Sequence, residues 1–416
     1  MTAAPTATAL VTGPRVGATP VAVRRLILLA FVAATSPLAV DLYLASFPDI
    51  QRDLATTPAM VQLTLTAYLV GVSIGQPIWG PLSDRFGRRT PLLVANAVTV
   101  ASSVGIALAP TIEWLVVGRF VQALSAAAGM VIARAMISDL AEGYAGVRAL
   151  SVMMGFHGIT PVVGPVLGGV LATYLPWRGV LTVFVAFVTV QLVVSLLLVR
   201  ETLPPGQRTP RISYGALGRV MLRPGFLFHG LTLGCAVAAV MAYVAASSFV
   251  YQEVLGFTPA LYGFCFALNA VGMALGGMVS AQLARGAVHP ARTVASALPV
   301  ALASCVLVTV AAATPWPLLL VVPVFTNAVC ANVVMVNCMG LAMEHARGMS
   351  GAGSAALGLL MFGLSALVTP LPGLIDASSA VPMGLVMTGS TVAAGVVFGI
   401  GRAWVRRHPE TEAALA

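Results

Sequence analysis

The chain has no lysine; all 22 of its basic residues are arginine. Charge of either sign is scarce, at 8% of 416 residues, against about 25% in soluble domains. With 59% of residues hydrophobic, an ordinary soluble protein is excluded. The five cysteines, Cys235, Cys265, Cys305, Cys330 and Cys338, all fall in apolar stretches, so neither a disulfide framework nor a metal site is expected. No G-x-x-x-x-G-K-[ST] phosphate loop is present, which argues against ATP as a driving force. Clustered His, Asp or Glu at helical spacing, which an integral-membrane enzyme needs, is missing as well. So are the rings of like polar residues that a passive channel would carry. The net charge of +9 forms no basic stripe interleaved with aromatics, so nucleic acid is not an expected partner.

What the sequence does contain is a series of runs of about 20 apolar residues, each long enough as a helix to cross about 30 Å of hydrocarbon. Twelve spans are expected, at 24–47, 58–80, 91–110, 114–137, 148–173, 179–199, 226–251, 260–284, 292–313, 316–341, 350–372 and 381–401. The expected fold is therefore an all-α membrane protein in two six-helix halves. Residues 1–23 read as a disordered tail, 24–199 as the first bundle, 200–225 as a polar linker with a short surface helix, 226–401 as the second bundle and 402–416 as a second tail. The first run follows Arg24 and Arg25 as a signal-peptide core would. It is too long for that role and contains Asp41, so it is read as a retained helix. Alternating the loops from one side to the other gathers almost all the loop arginines on the side of the termini and leaves only Arg52 and Arg178 opposite. By the positive-inside rule both termini are expected in the cytoplasm and the protein in the plasma membrane.

A shift of 201 residues reveals an internal repeat, with eleven identities over 38 positions. Thr57, Pro58, Ala59, Gly71 and Gly75 fall on Thr258, Pro259, Ala260, Gly272 and Gly276. Internally repeated bundles can rock around a site at their interface. The charges do not repeat: Asp41 becomes Ala242, Asp84 becomes Arg285 and Arg119 becomes Leu320. Any proton-handling machinery is accordingly expected in the first half.

Between spans 2 and 3 the chain reads GPLSDRFGRRTPLL over residues 80–93. Gly80 and Gly87 permit close packing and a tight turn, Asp84 can meet a positive partner, and Arg85, Arg88 and Arg89 anchor the loop at the surface. An ordinary arginine-rich loop would serve the same anchoring purpose. The pattern nevertheless resembles the loop signature G-x-L-a-D-r-x-G-r-r of the major facilitator superfamily, matched at Gly80, Leu82, Ser83, Asp84, Arg85, Gly87, Arg88 and Arg89. The resemblance implies a conformational charge network of Asp84 and Arg88, with Asp139 as a further partner.

Span 5 carries GFHGITPVVGPVLGG. Gly164, Gly168 and Gly169 suit a close helix interface, and Pro161 and Pro165 bend the span. The same stretch is similar to the GPxxGG motif of major facilitator exporters at Gly164, Pro165, Gly168 and Gly169, which implies outward transport. His157 beside it reads either as a packing residue or as a pocket contact.

Asp41 stands inside TSPLAVDLYLASF, where an ionised side chain costs at least about 2.5–3.5 kcal/mol. Arg119 lies in span 4 at about the same depth, roughly 9–12 Å from one face at 1.5 Å per helical residue. One reading makes the two a permanent buried ion pair, weakly stabilising because desolvation offsets the attraction. The other makes Asp41 a proton carrier whose affinity changes as hydration and the distance to Arg119 change. The stretches AVDLYLASFP, LTAYLVG, VGRFVQALSAAAGMVIARAMISDL, RETLP and SSFVYQEVLGFTPALYGFCFALNAVG resemble the bicyclomycin/chloramphenicol-resistance type of drug:proton antiporter within that superfamily. Asp41 then occupies the family's acidic position in helix 1, and Arg119 with Gln122 matches its R-x-x-Q signature. Ser46 departs from the family's usual proline.

Polar and aromatic residues at middle depth complete the expected site: Tyr43, Tyr68, Gln122, Met154, His157, Tyr243, Asn269, Asn332, Asn337, Met361 and Phe362. As a set they suit a mostly apolar ligand held by shape and a few hydrogen bonds. The resemblance implies a monomeric exporter in membrane lipid, without a cofactor and driven by the proton gradient. Its expected cargo is a small lipophilic drug of the chloramphenicol kind, with an endogenous metabolite, sugar or self-made antibiotic as the alternative.

Overall fold

The computed structural model describes residues 23–140, 143–209, 214–314, 318–376 and 379–407, with the side chains of 143–152, 154–158 and 318 outside the description. Every regular element among the described residues is helical. Span 1 is broken: Val23–Ala33 and Thr35–Asp41 are followed by a 3-10 turn, Leu44–Ser46, and by Phe47–Asp53. Its two main parts meet at an angle of 44°. Spans 2 to 6 are Pro58–Phe86, Arg89–Ala107, Ile112–Leu140, Gly143–Tyr174 and Trp177–Leu198. A short linker helix, Gly215–Met221, precedes the second half. Span 7 is Pro224–Phe249, continued by a π-helical turn over Val250–Val254. Spans 8 to 12 are Pro259–Arg285, Pro290–Ala312, Leu318–Glu344, Ser350–Val368 with the short Leu371–Ile375, and Val381–Arg407.

Among the described residues, ten helices have the length and hydropathy of a membrane span, and the bent first pair makes an eleventh. Span 5, at 32 residues, is the remaining one. Leu197, Leu198, Val322 and Leu367 are more than 60% exposed on the outside of the bundle, an apolar surface that hydrocarbon accommodates and water does not.

The repeated residues have matching structural duties. Thr57 and Thr258 each cap a helix, accepting from the amides of Met60 at 3.3 Å and Leu261 at 3.2 Å. Pro58 and Pro259 then occupy the first helical turn, where a missing N–H does no harm. A Cβ on Gly71 would lie 2.5 Å from Phe120 O, and one on Gly75 would lie 2.8 Å from Leu124 O. In the second half, Gly276 stands equally close to span 10, at 2.3 Å from Val329 O, with Gly272 against Phe325. Spans 2 and 8 therefore press on spans 4 and 10 through the same glycine pair.

The two halves meet closely at the end away from the loop arginines. There a Cβ on Gly169 would reach Pro259 O at 2.4 Å, and one on Gly263 would reach Pro165 O at the same distance. Gln252 donates to Ala45 O at 3.0 Å, Phe47 packs on Phe249 with ring centres 6.0 Å apart, and the Gly373 amide donates to Gln62 Oε1 at 3.0 Å. At the arginine-rich end, a gap of about 590 Å³ opens between spans 2 and 4 on one side and the linker helix and span 11 on the other.

Candidate functional site

A cavity of about 220 Å³ lies between the halves, lined mainly by apolar side chains such as Val72, Val240, Met241, Met273 and Phe362. Its polar positions are Ser36, Asp41, Tyr68, Tyr243, Asn269 and Asn327. Among the described residues Asp41 is the sole carboxylate in that wall. Its side chain is nearly closed off, the residue being 7% exposed. Among the described residues no hydrogen-bond partner reaches the buried Oδ2.

Helix geometry places the carboxylate there. Asp41 is the last residue of its helical segment, and the chain turns at Leu42 and Tyr43 before the 3-10 turn begins. A break inside a membrane leaves carbonyls without their usual i+4 donors, and another group must satisfy them. The amide of Tyr43 turns to Val40 O at 3.2 Å, and Ala39 O accepts instead from Arg119 Nη1 at 3.0 Å. Gln191 of span 6 serves the upper break in the same way, donating to Phe31 O and Val32 O at 3.0 Å and accepting from Thr35 at 2.7 Å. Gly164 supplies the room beside the carboxylate, since a Cβ there would stand 2.7 Å from Asp41 Cβ. Gly168 does the same for Leu42 O, at 2.5 Å.

Arg119 is fully buried and does not form an ion pair with Asp41; the ion pairs among the described residues use Arg52, Arg88, Arg178 and Arg208. Its guanidinium sits between two aromatic faces, 4.5 Å from the Tyr43 ring centre and 4.3 Å from that of Tyr68. Cation–π attraction strengthens when the cation is desolvated, as here. Gln122 accepts from Arg119 Nη1 at 2.7 Å and donates to Ser103 at 2.8 Å. Spans 1 and 4 are thus neighbours, but the arginine turns toward the span 1 backbone and the tyrosines.

The other expected pocket residues divide by what their polar ends already do. Tyr68, Tyr243, Asn269 and Phe362 line the cavity, with Tyr68 donating to Ser36 O at 3.0 Å and Asn269 hydrogen-bonded to the Tyr243 hydroxyl. Tyr43 and Gln122 lie behind the wall, Tyr43 pairing with Thr64 at 2.9 Å. Asn332 donates to Met273 O at 2.6 Å and Asn337 to Ser280 at 3.0 Å, so both join neighbouring helices outside the cavity. Met361 packs on the second-half core. The side chains of Met154 and His157 fall outside the described residues. Ser36 and Asn327 are wall residues that pattern reading passed over; the signal available was a lone polar residue in an apolar run.

Around the loop between spans 2 and 3, Arg88 bonds Asp84, donates to Asp139 Oδ2 at 2.9 Å and to Ser83 at 2.8 Å. Glu201, just past span 6, accepts the Arg88 amide at 2.8 Å. Burial pushes the Glu201 carboxyl up, but the amides of Leu203, Arg88, Arg89 and Thr202 outweigh it and hold the group below its ordinary range. Gly87 has φ +90°, and a Cβ there would meet Glu201 Oε2 at 2.4 Å, so glycine is required. Gly80 has open space beside it, with its nearest neighbour at 3.8 Å. Arg89 donates to Val199 O at 2.8 Å and Leu196 O at 3.0 Å, closing the end of span 6. Arg85 lies over the Phe86 ring at 5.1 Å. Arg208 pairs with Glu201 and the Thr209 amide donates to Asp84 O, so the network joins the first half to the start of the linker.

Comparison with known proteins agrees with this architecture. The chain is 34% identical over 377 residues to the uncharacterized MFS-type transporter YdgK of Bacillus subtilis, covering 89% of this chain and 93% of that one. It is 25% identical over 370 residues to a bicyclomycin resistance protein homolog of Haemophilus influenzae, covering 88% and 92%. It is 28% identical over 235 residues to the multidrug resistance protein MdtL of Klebsiella pneumoniae, covering 56% and 60%. Among solved structures, a bacterial homolog of the human lysosomal transporter Spinster, in an inward-facing and occupied conformation, matches with a TM-score of 0.72 at 15% identity, over 95% of this chain and 99% of that one. At that identity the likeness is one of fold. The description of the Major Facilitator Superfamily matches residues 29–370, and the chain belongs to that family: it is a multi-pass membrane transporter and not an enzyme.

Proposed function

We propose that this transporter exports small lipophilic drugs across the plasma membrane in exchange for protons, with its arginine-rich end and both termini in the cytoplasm. The observation that carries the reading is Asp41: among the described residues, one carboxylate in an otherwise mostly apolar cavity wall, at a helix break and without a partner for Oδ2. A lone acid in such a wall can bind a proton or attend to a ligand, and competition between the two couples their movements. Arg119 holds the broken backbone beside it and sets the geometry in which the carboxylate loads and unloads. The closed far end and the gap at the arginine-rich end fit a state open toward the cytoplasm, one of the two that alternating access requires. The names of the resistance proteins it resembles support drugs as cargo, and the apolar wall supports lipophilic ones.

The test uses everted membrane vesicles energised with a pH gradient and challenged with chloramphenicol. Addition of the drug should drive protons out of vesicles carrying the wild-type chain. No proton movement with chloramphenicol or any other lipophilic drug that the vesicles demonstrably accumulate, or a wild-type response from Asp41→Asn, sinks the proposal.

A further inference from the structure

We infer that the arginine-rich end carries two repeat-related binding sites for the anionic headgroup of a membrane phospholipid, one in each half. The first is a cavity of about 330 Å³ between spans 1, 4 and 6, where Arg24, Arg25 and Arg200 stand over Leu28, Leu140 and Leu197. The second, of about 390 Å³, lies between spans 7, 9, 10 and 12, where Arg347, Arg402 and Arg406 stand near Leu341 and Val405. Under the 201-residue shift, Leu28, Leu140, Arg200 and Glu201 fall on His229, Leu341, Gly401 and Arg402, and all eight residues line one cavity or the other. The shift carries the location and not the arginines, so each half surrounds the same place with its own set of three.

Charge favours an anion at both. Each lining has three arginines and one acid, Glu201 in the first and Glu344 in the second. Glu201 is already occupied by backbone amides and by Arg208 at 3.8 Å. Arg24, Arg25 and Arg200 are exposed, and Leu197 and Leu198 beside them are 75% and 62% exposed. A cationic rim above an open apolar flank matches a phosphate headgroup with its acyl chains running down the bundle. Free phosphate would satisfy the rim and leave the flank unused. The first site also touches the loop network, because Glu201 accepts the Arg88 amide and Thr202 donates to Asp139 Oδ2 at 2.8 Å. A headgroup bound there sits beside the hydrogen bonds that tie span 2 to span 4.

Native mass spectrometry of the full chain, released from micelles doped with phosphatidylglycerol or phosphatidylcholine, tests the inference. Wild type should retain two phosphatidylglycerol molecules and no selective phosphatidylcholine. Arg24→Gln/Arg25→Gln/Arg200→Gln should retain one, as should Arg347→Gln/Arg402→Gln/Arg406→Gln. At a factor of about five in affinity per arginine near an anionic surface, each triple change should weaken its site about a hundredfold. The matching arginine-to-lysine variants keep the charge and should retain both lipids, which separates headgroup attraction from damage to the fold. Arg285→Gln/Arg292→Gln removes charge from the same end outside both cavities and should also retain two. Undiminished retention in the triple glutamine variants, equal loss in Arg285→Gln/Arg292→Gln, or displacement of the lipid by millimolar inorganic phosphate overturns it.

Discussion

The first and second halves share a helix-packing plan and differ in chemistry. Both cap a span with Thr-Pro and press a Gly-x-x-x-Gly pair against the neighbour two spans on, at Gly71 and Gly75 in one and Gly272 and Gly276 in the other. Where the first half has Asp41 and Arg119, the second has Ala242 and Leu320, both buried among apolar neighbours. Tyr68 is answered by Asn269, which faces the same cavity from the other side. The difference teaches that scaffold and site chemistry are separable: glycine contacts recur because both halves need the same close crossings, while the buried carboxylate on which the proposed proton exchange rests stands in the first half alone among the described spans.

The strongest way to break the comparison is to erase the difference. Asp41→Asn should abolish drug-driven proton movement while leaving the helical content and melting of the purified protein unchanged. Moving the acid across, in Asp41→Asn/Ala242→Asp, should not restore transport, because no arginine supports the opposite position. A charge at Ala242, which is fully buried, should further destabilise the protein by at least about 2.5 kcal/mol. Restored transport would mean that the halves are interchangeable after all.

Next in size is the contact between halves. Gly169→Ala puts a methyl where Pro259 O stands 2.4 Å away, and overpacking of this kind costs about 1–3 kcal/mol. Since the clash exists only while the far end is shut, cysteine accessibility near Ala45 and Gln252 should rise, reporting a shift toward the other state. Arg119→Leu, the residue its repeat position carries, removes the hydrogen bond to Ala39 O and both ring contacts. A lost charged hydrogen bond is worth about 1.5–3 kcal/mol, partly offset by relief from burying a cation. Transport should fall much further than stability does, as measured by drug efflux against thermal melting.

The smallest effect concerns the loop network, which among the described residues ties the first half to the linker. Glu201 has its proton affinity lowered in the folded state, so its contribution is fully present above the ordinary carboxylate range and is lost as pH falls through the folded value. Glu201→Gln should therefore lower the melting temperature by a few degrees at pH 7 and make no difference in acid below that value. An equal deficit at both pH values would assign the effect to packing rather than charge.

Much of this was legible in the sequence. All twelve runs correspond to helices because a membrane demands an unbroken apolar stretch of fixed length, although several helices outrun the apolar run, reaching Phe86, Leu140 and Arg407 through polar ends. The loop network was implied by the family resemblance of residues 80–89, and in the structure its Asp84 and Arg88 lie one turn apart. The turn of span 1 at Leu42 and Tyr43 was not, because no glycine or proline occupies residues 41–47 and the carbonyl it frees is satisfied from 80 positions away. Nor does depth reveal which way a side chain points around its helix. Tyr43, Gln122 and Arg119 were expected at pocket depth, yet they face one another behind the cavity wall. Tyr68, almost level with them, reaches the cavity.

The most direct test of the central claim is proton release on drug binding. Purified protein in weakly buffered detergent with a pH indicator is mixed with a saturating lipophilic drug, and the release is compared with that of Asp41→Asn at matched occupancy. Competition at a single carboxylate predicts release of up to one proton per chain from wild type and none from the variant. Release of the same size from both, or drug binding to wild type without any release across the pH range, would contradict it.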